Sequence, residues 1–339
     1  MYKFDILDIT NFLEENMIFV TGATGHIGNN VVRQLLLEHQ EVTCLVRSKG
    51  IALWDIPTKV VLGDIFDPLF LAQHLRPSDT LIHCAGVIDV FAKDATRSEE
   101  ANVTGTKIIG EYCSQNAIYL LFVSSVDAIA KTKHQTAIVE PSDFDLSKYH
   151  NHYSLVKAKG AMMIQELMDQ SKLEGAIVYP SAVVGVHDYK PSLVGKELVK
   201  AMKHKVLFSV KGGYNFIDVQ DVAKAITSIV REKLTGSYIL AAHVWSISQM
   251  YRFVSSWQGK RKWIITVPNV IARSFLWMSK SYSKTMLDAI EDSSNYQNTK
   301  MLEAISFQPR LLEETLSDTL HFLQKTYLLS SISDHYKCK

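Results

Sequence analysis

The first half of the chain alternates short, uninterrupted apolar runs with longer stretches in which apolar residues recur every three or four positions. The runs MIFV, EVTCLVR, KVVLGD, DTLIHCAG and IYLLFVSS lack the polar–apolar alternation of a strand with one wet face. They predict strands covered on both faces, as in a parallel sheet. Between them NNVVRQLLLEHQ, FLAQHL and TGTKIIGEYCSQ carry helical periodicity. Strand then helix, repeated, predicts a parallel sheet with helices on both sides. A further strand over Gly175 to Tyr179 follows a helix running from about Tyr153 to Ser171. Six strands in this order predict a Rossmann-type doubly wound α/β sheet.

Beyond Pro180 the rhythm shortens. Helices near Ser192 to Lys203, Asp221 to Arg231 and Ser248 to Trp257, a strand at Trp263 to Val267 and an amphipathic helix after Pro309 predict a smaller mixed α/β lobe packed on the first domain. The resulting plan is an N-terminal extension at 1–15 and a nucleotide-binding domain at 16–184, to which 214–232 return. A substrate lobe takes 185–213 and 233–330, and a tail takes 331–339.

Composition narrows the function classes. Hydrophobic residues at 47% and charged residues at 21% describe a globular chain, not a disordered one. Thirty-six basic against thirty-five acidic side chains leave a net charge of +1, without the basic excess of a nucleic-acid binder. Cys44, Cys84, Cys113 and Cys338 have no CxxC spacing, so neither a metal site nor a disulfide framework is expected, and a cytoplasmic setting fits. The N-terminus MYKFDILDITNFLEEN is acidic and lacks the basic start and apolar run of a secretion signal. The apolar part of VIARSFLWMSK, Val270 to Lys280, is short and broken by Arg273, so it reads as a core or partner-facing helix and no membrane partner is expected.

The strongest local signal is Thr21-Gly22-Ala23-Thr24-Gly25-His26-Ile27-Gly28, placed after a strand and before a helix. Gly22 permits the sharp turn, Gly25 lets backbone approach a diphosphate, and Gly28 allows close helix–strand packing. The diphosphate then meets the free N–H groups and positive end of the helix. A carboxylate at the end of the second strand would select NAD; Arg47 stands there instead, with Lys49 close by. A guanidinium grips a 2′-phosphate, so the reading is NADP in preference to NAD, with NAD still possible. Asp64 closes the third strand, either accepting from the adenine amino group or capping the next helix. Ala85 and Gly86 end the fourth strand with small residues that let the cofactor lie against backbone, while His83 reads as a packed strand residue.

Tyr153-Ser154-Leu155-Val156-Lys157 puts a phenol and an ammonium one turn apart on a helical face. A neighbouring ammonium favours phenolate, so the pair predicts a tyrosine whose pKa is lowered toward the working range. VSSVD supplies Ser124 and Ser125 at the end of the fifth strand, and only one of them can point at the substrate.

TGATGHIG, LVR, GDIFD, the serine pair and YSLVK together resemble an extended short-chain dehydrogenase/reductase of the NAD(P)-dependent epimerase/dehydratase superfamily. YPSAVVG, NFIDVQDVAKAI and TKMLEAISFQPRLLEETLSDTL continue the likeness to about residue 327, nearest to the dihydroflavonol reductase-like and 3β-hydroxysteroid dehydrogenase-like branch. The resemblance implies Ser125, Tyr153 and Lys157 as the catalytic set: Tyr153 protonates the carbonyl oxygen, Lys157 holds the nicotinamide ribose, and Ser125 orients the carbonyl. It adds Ile65, Pro180 and Val183 to the cofactor contacts, and gives Asn102 a structural or catalytic place. It also implies a homodimer through Thr104 to Gln115 and Tyr153 to Gln170.

Two departures from the family pattern bear on the substrate. Val126-Asp127-Ala128-Ile129-Ala130 replaces the VYG-like turn of nucleotide-sugar enzymes, and Gly213-Tyr214-Asn215-Phe216-Ile217-Asp218 lacks their diphosphate-holding arginine. A less charged carbonyl compound is the expected substrate. Phe208, Tyr214, Trp245, Met250, Trp277 and Met278 read as lobe core before pocket. His150 and His152 read as solvated, with a proton relay to Tyr153 as the alternative. Against the reductase stand an epimerase or dehydratase that returns its hydride, and a non-catalytic sensor of NADP(H).

Overall fold

A computed structural model describes residues 16–131, 137–275, 287–288, 290–291, 295–305 and 308–328. The extension at 1–15, the tail at 331–339, and Trp277 and Met278 lie outside the described residues.

The uninterrupted apolar runs become strands β1 (Ile18–Thr21), β2 (Val42–Val46), β3 (Lys59–Leu62), β4 (Thr80–His83), β5 (Tyr119–Val123) and β6 (Gly175–Pro180). β2, β4, β5 and β6 are buried at every position, which is why their sequences show no alternation. β3 departs from that expectation: it is one of the two edge strands, and its Leu62 is exposed. Three strands of the lobe follow, β7 (Ala182–Val184), β8 (Val206–Val210) and β9 (Gly213–Asp218), and then β10 (Gly236–Leu240) returns to the main sheet. The order is β10-β6-β5-β4-β1-β2-β3, seven strands, with every pairing parallel. The direction of winding reverses between β1 and β4, which leaves a crevice outside their carboxyl ends.

The return to the first domain differs from the predicted 214–232: 213–218 is β9 of the lobe, and the chain comes back with the helix after it. Gly236–Leu240 pairs with β6 in parallel, so this part of 233–330 belongs to the sheet and not to the lobe. Both faces are covered. On one, α1 (His26–Leu37) packs with the helix Val219–Arg231, whose buried Val222, Ala223, Ile226, Ile229 and Val230 recur at helical spacing. On the other lie α2 (Pro68–His74), α3 (Ala95–Glu99), α4 (Gly105–Gln115) and α5 (His152–Asp169) around Phe122, Ile109 and Ile164. A π-turn, Glu100–Thr104, joins α3 to α4.

The lobe has a core of its own. Leu198 of α6 (Leu193–Lys203), Phe216, Tyr251 and Leu316 are buried together with Leu207. Val219–Arg231 is α7, Ile247–Trp257 is α8, and α9 (Asn269–Phe275), α10 (Thr299–Ile305) and α11 (Leu312–Leu323) complete the helices named here. Two strands remain, β11 (His243–Ser246), antiparallel to β9, and β12 (Trp263–Val267), parallel to β8. Met250 is buried in the lobe, and Tyr214 and Trp245 pack edge-on against Phe216 and Phe253. Phe208 does not follow the core reading: it lies on the outer face of β8 and is 59% exposed. The C-terminal Arg310 locks lobe to sheet, its guanidinium 2.8 Å from the buried Asp218 and its N–H donating to Asp221 at 2.7 Å.

Candidate active site

The glycine turn is shaped by close approach. Gly22 has φ +68°, and a Cβ there would stand 2.6 Å from the Ala85 nitrogen and the Cys84 carbonyl carbon. A Cβ on Gly28 would stand 2.4 Å from the Gly22 oxygen, so the turn and α1 can meet only through glycines. Gly25 is the N-cap of α1 and supplies no side-chain acceptor. By contrast α2, α5, α6, α7 and α8 are capped by Asp67, Asn151, Ser192, Asp218 and Ser246. The first-turn N–H groups of α1 therefore remain available to an anion, and a dinucleotide diphosphate fits that donor set.

The side chains of His26 and Ile27 are engaged away from this turn. The His26 Nε2 is 3.0 Å from the Val186 carbonyl oxygen, and Ile27 packs against the sheet core. Burial holds His26 below its ordinary pKa, against the opposing charges of Asp188 and Asp218. Thr24 faces the loop after β2, where a Cβ on Gly50 would lie 3.6 Å from its methyl group. Arg47 and Lys49 are exposed in that loop, and Arg47 makes no ion pair among the described residues. Asp64 is exposed and is not the helix cap: its Oδ1 accepts from Phe66 N–H at 3.0 Å, and Asp67 caps α2. Ile65 is buried in the core beneath.

His83 is a packed residue, as its sequence setting suggests. Its Nδ1 is 2.7 Å from Thr21 Oγ1, it stacks on Phe122, and burial with the Lys157 charge pushes its pKa down to about 3. Thr21 Oγ1 also accepts from Ala85 N–H at 3.3 Å, which pins the β4 loop over the cradle. Gly86 follows, and a Cβ on it would stand 2.9 Å from Asn102 Oδ1 and 3.1 Å from Lys157 Nζ. Asn102 sits in the π-turn, with its amide donating to Val87 O at 2.8 Å and to Ser98 O at 3.0 Å. Pro180 is buried at the end of β6, and Val183 is half-buried on β7.

Asn151 starts α5 by accepting from Ser154 N–H at 2.8 Å, which places Tyr153 and Lys157 on the inward face. Both are buried. The two serines part as strand geometry requires. Ser124 Oγ is buried with no partner among the described residues, whereas Ser125 Oγ accepts from Asp127 N–H at 3.1 Å and donates to Asp127 Oδ2 at 3.2 Å. The Ser125 hydroxyl also favours the ionised form of the Tyr153 phenol. His150 is exposed, and the half-buried His152 has an Nε2 with no partner among the described residues.

The electrostatics differ from the prediction in one respect. Burial raises the Tyr153 phenol above its ordinary value, Asp127 raises it further, and the Ser125 hydroxyl opposes both. Lys157 is not among the groups that set it; burial pushes the Lys157 pKa itself down to about 8, while Asp127 raises it. Asp127 is thus the residue the motif reading passed over. Its signal was a carboxylate two positions after the serine, in the segment noted only for departing from VYG.

With this geometry in place the likeness to known proteins becomes specific. Residues 18–241 match the model of the NAD dependent epimerase/dehydratase family. The chain belongs to that family. A putative dihydroflavonol 4-reductase of Synechocystis sp. is 26% identical over 328 residues, 90% of this chain and 94% of that protein. Sterol demethylase protein B of Methylococcus capsulatus is 23% identical over 297 residues, 84% of this chain and 88% of its own. Among solved structures, gox2253 superposes with a TM-score of 0.81 at 21% identity, over 92% of this chain and 99% of that one, a likeness of fold. The protein is accordingly an NAD(P)-dependent oxidoreductase of the extended short-chain dehydrogenase/reductase type. No helix among the described residues is long and apolar enough to cross a membrane.

Proposed function

We propose that the protein is an NADP(H)-preferring reductase that converts an aldehyde or ketone to an alcohol, with Tyr153 as proton donor. The observation that carries this reading is the meeting of Ser125, Tyr153 and Lys157 beside Gly86, with the phenol held above its ordinary pKa. A phenol so held carries its proton through the neutral range, as a donor must, and the bound cofactor would have to bring its pKa down toward the working pH for efficient transfer. When bound, the nicotinamide group supplies the hydride. Ser125 orients the carbonyl oxygen and Tyr153 delivers its proton to that oxygen. Lys157 keeps a positive charge beside Gly86, where the cofactor backbone is to lie. Gly22, Gly25 and Gly28 with the N–H groups of His26 and Ile27 hold the diphosphate, and Arg47 meets the 2′-phosphate. Thr24, Asp64, Ile65, Ala85, Pro180 and Val183 line the remaining length. A homodimer through α4 and α5 belongs to the same reading, and light scattering of the purified enzyme tests it.

One observation favours a second reading. Asp127 adds a carboxylate within hydrogen-bonding distance of Ser125, a second proton-transfer group of the kind an epimerase or dehydratase uses. Net consumption separates the two, because an enzyme that returns its hydride oxidises no NADPH overall. The experiment follows NADPH absorbance with a panel of aromatic and aliphatic aldehydes and ketones, beside an NADH series and Tyr153→Phe. Turnover that disappears in the variant while NADPH still binds supports the reductase. Binding without net oxidation on every carbonyl rejects it.

A further inference from the structure

The parallel pair β8–β12 breaks the rule that parallel strands are covered on both faces. One face of β8 turns Leu207 and Ser209 inward. The other face is apolar and open: Val206 is 46% exposed, Phe208 59%, Trp263 63% and Ile265 46%. The register sets Val206 beside Trp263 and Phe208 beside Ile265, so these four form one continuous surface. Val270, 77% exposed, and the exposed Ile271 follow β12 in sequence, on α9. Contiguous exposed apolar surface of this kind marks an interaction site, whereas scattered apolar residues do not.

The rim decides what it meets. Lys203, His204 and Lys205 lead into β8, Lys211 leaves it, and Lys260 and Arg261 lead into β12; all six are exposed. The Arg261 guanidinium lies over the Trp263 ring, 5.5 Å from its centroid. The sequence has no Asp or Glu between Glu197 and Asp218, and none between Glu232 and Asp288. The net charge of +1 therefore conceals two carboxylate-free stretches around β8 and β12, although Asp288 and Glu291 pair with Arg273 of α9 beyond them. Aromatic and aliphatic side chains ringed by lysine and arginine match the boundary of an anionic bilayer, apolar side inward and charges at the headgroups. A second copy of the chain fits poorly, since a symmetric contact would bring two basic rims together.

We propose that the β8–β12 face docks the protein peripherally on anionic lipid membranes. No spanning helix is required, and the proposal replaces the sequence-based expectation of no membrane partner. It is independent of the reductase reading, because docking needs no turnover.

The test is co-sedimentation of the full chain with vesicles of phosphatidylcholine alone and of phosphatidylcholine mixed with phosphatidylserine. The protein is expected to sediment with the mixed vesicles, to be released by salt, and to remain in solution with phosphatidylcholine alone. Lys205→Glu and Lys260→Glu should each weaken binding by at least about fivefold, the worth of one basic side chain at such a surface. Phe208→Glu with Ile265→Glu should abolish it without lowering the melting temperature, and Tyr153→Phe should bind as the wild type does. Wild-type protein that stays in solution with both vesicles overturns the proposal, as does binding indifferent to the lysine variants. A melting temperature lowered by the Phe208 and Ile265 changes also overturns it, because the face would then be packed against protein. So does a dimer in light scattering that those changes dissociate.

Discussion

The molecule contains two parallel sheets that differ in what lies over them. The large sheet is sealed on both faces, and Phe122 in its β5 is 2% exposed. The small β8–β12 pair is sealed on one, and Phe208 in its β8 is 59% exposed. Strand geometry is the same in both, so the difference lies in the neighbours. In the large sheet the covered faces leave only the strand ends for chemistry, and Ser125, Tyr153, Lys157 and the glycine cradle gather at those ends. In the small sheet the face itself is what the protein presents. On the readings proposed above, one sheet positions reacting groups, and the other offers surface.

The comparison can be sharpened, or broken, by variants that act on one sheet alone. The largest effect belongs to the strand ends: Tyr153→Phe should lower reductive turnover by about 10²–10⁴-fold with cofactor binding unchanged, as steady-state rates and NADPH titration will show. A phenylalanine from each sheet comes next. Phe122→Ala should cost about 3–5 kcal/mol in urea unfolding, the price of an unfilled core, whereas Phe208→Ala should change stability by less than about 0.5 kcal/mol. Equal losses would show that the β8 face is not free. Third, turnover should decline on the alkaline side as Lys157 loses its proton near its pKa of about 8. The slope approaches about tenfold per pH unit, and the pH–rate profile records it. The same depressed pKa has a sign for stability. Against an ordinary 10.5, it makes the Lys157 contribution unfavourable below about 8 and relieves it as the pH rises toward 10.5. Lys157→Met should therefore flatten that part of a stability–pH curve. The smallest effect is at Arg47. Arg47→Ala should narrow the preference for NADPH over NADH by about tenfold, measured as the ratio of specificity constants, and leave the melting temperature alone.

Much of the large sheet could be read from the chain because full burial erases alternation, and β2, β4, β5 and β6 are buried at every position. The site was legible where spacing alone sets geometry: Tyr153 and Lys157 share a helix face, and Ser124 and Ser125 must diverge. It was illegible where a distant segment supplies the environment. That the Tyr153 pKa is raised and not lowered depends first on burial that no motif records, and then on Asp127 arriving from the β5 loop. Asp64 and Asp67 look alike as caps in sequence, and only the turn decides between them. β8 escaped notice because VLFSV places Val206 and Phe208 on its open face. An apolar residue facing outward is indistinguishable, on paper, from one facing in. The segregation of charge around it was hidden by a sum close to zero.

The π-turn at Glu100–Thr104 has a consequence for how this helix can vary. A π-turn carries one residue more than the α-helix it interrupts. The wider turn takes up that residue locally, so deleting one there would restore a regular helix with both flanks close to their present phase. What would go is the bulge itself, which brings the Asn102 amide to Val87 and Gly86 and seats its carbonyl beside Gly160, where a Cβ would stand 2.5 Å away. The surplus residue thus acts as a local spacer: the packing of α4 on α5 does not depend on it, and the grip on the loop after β4 does.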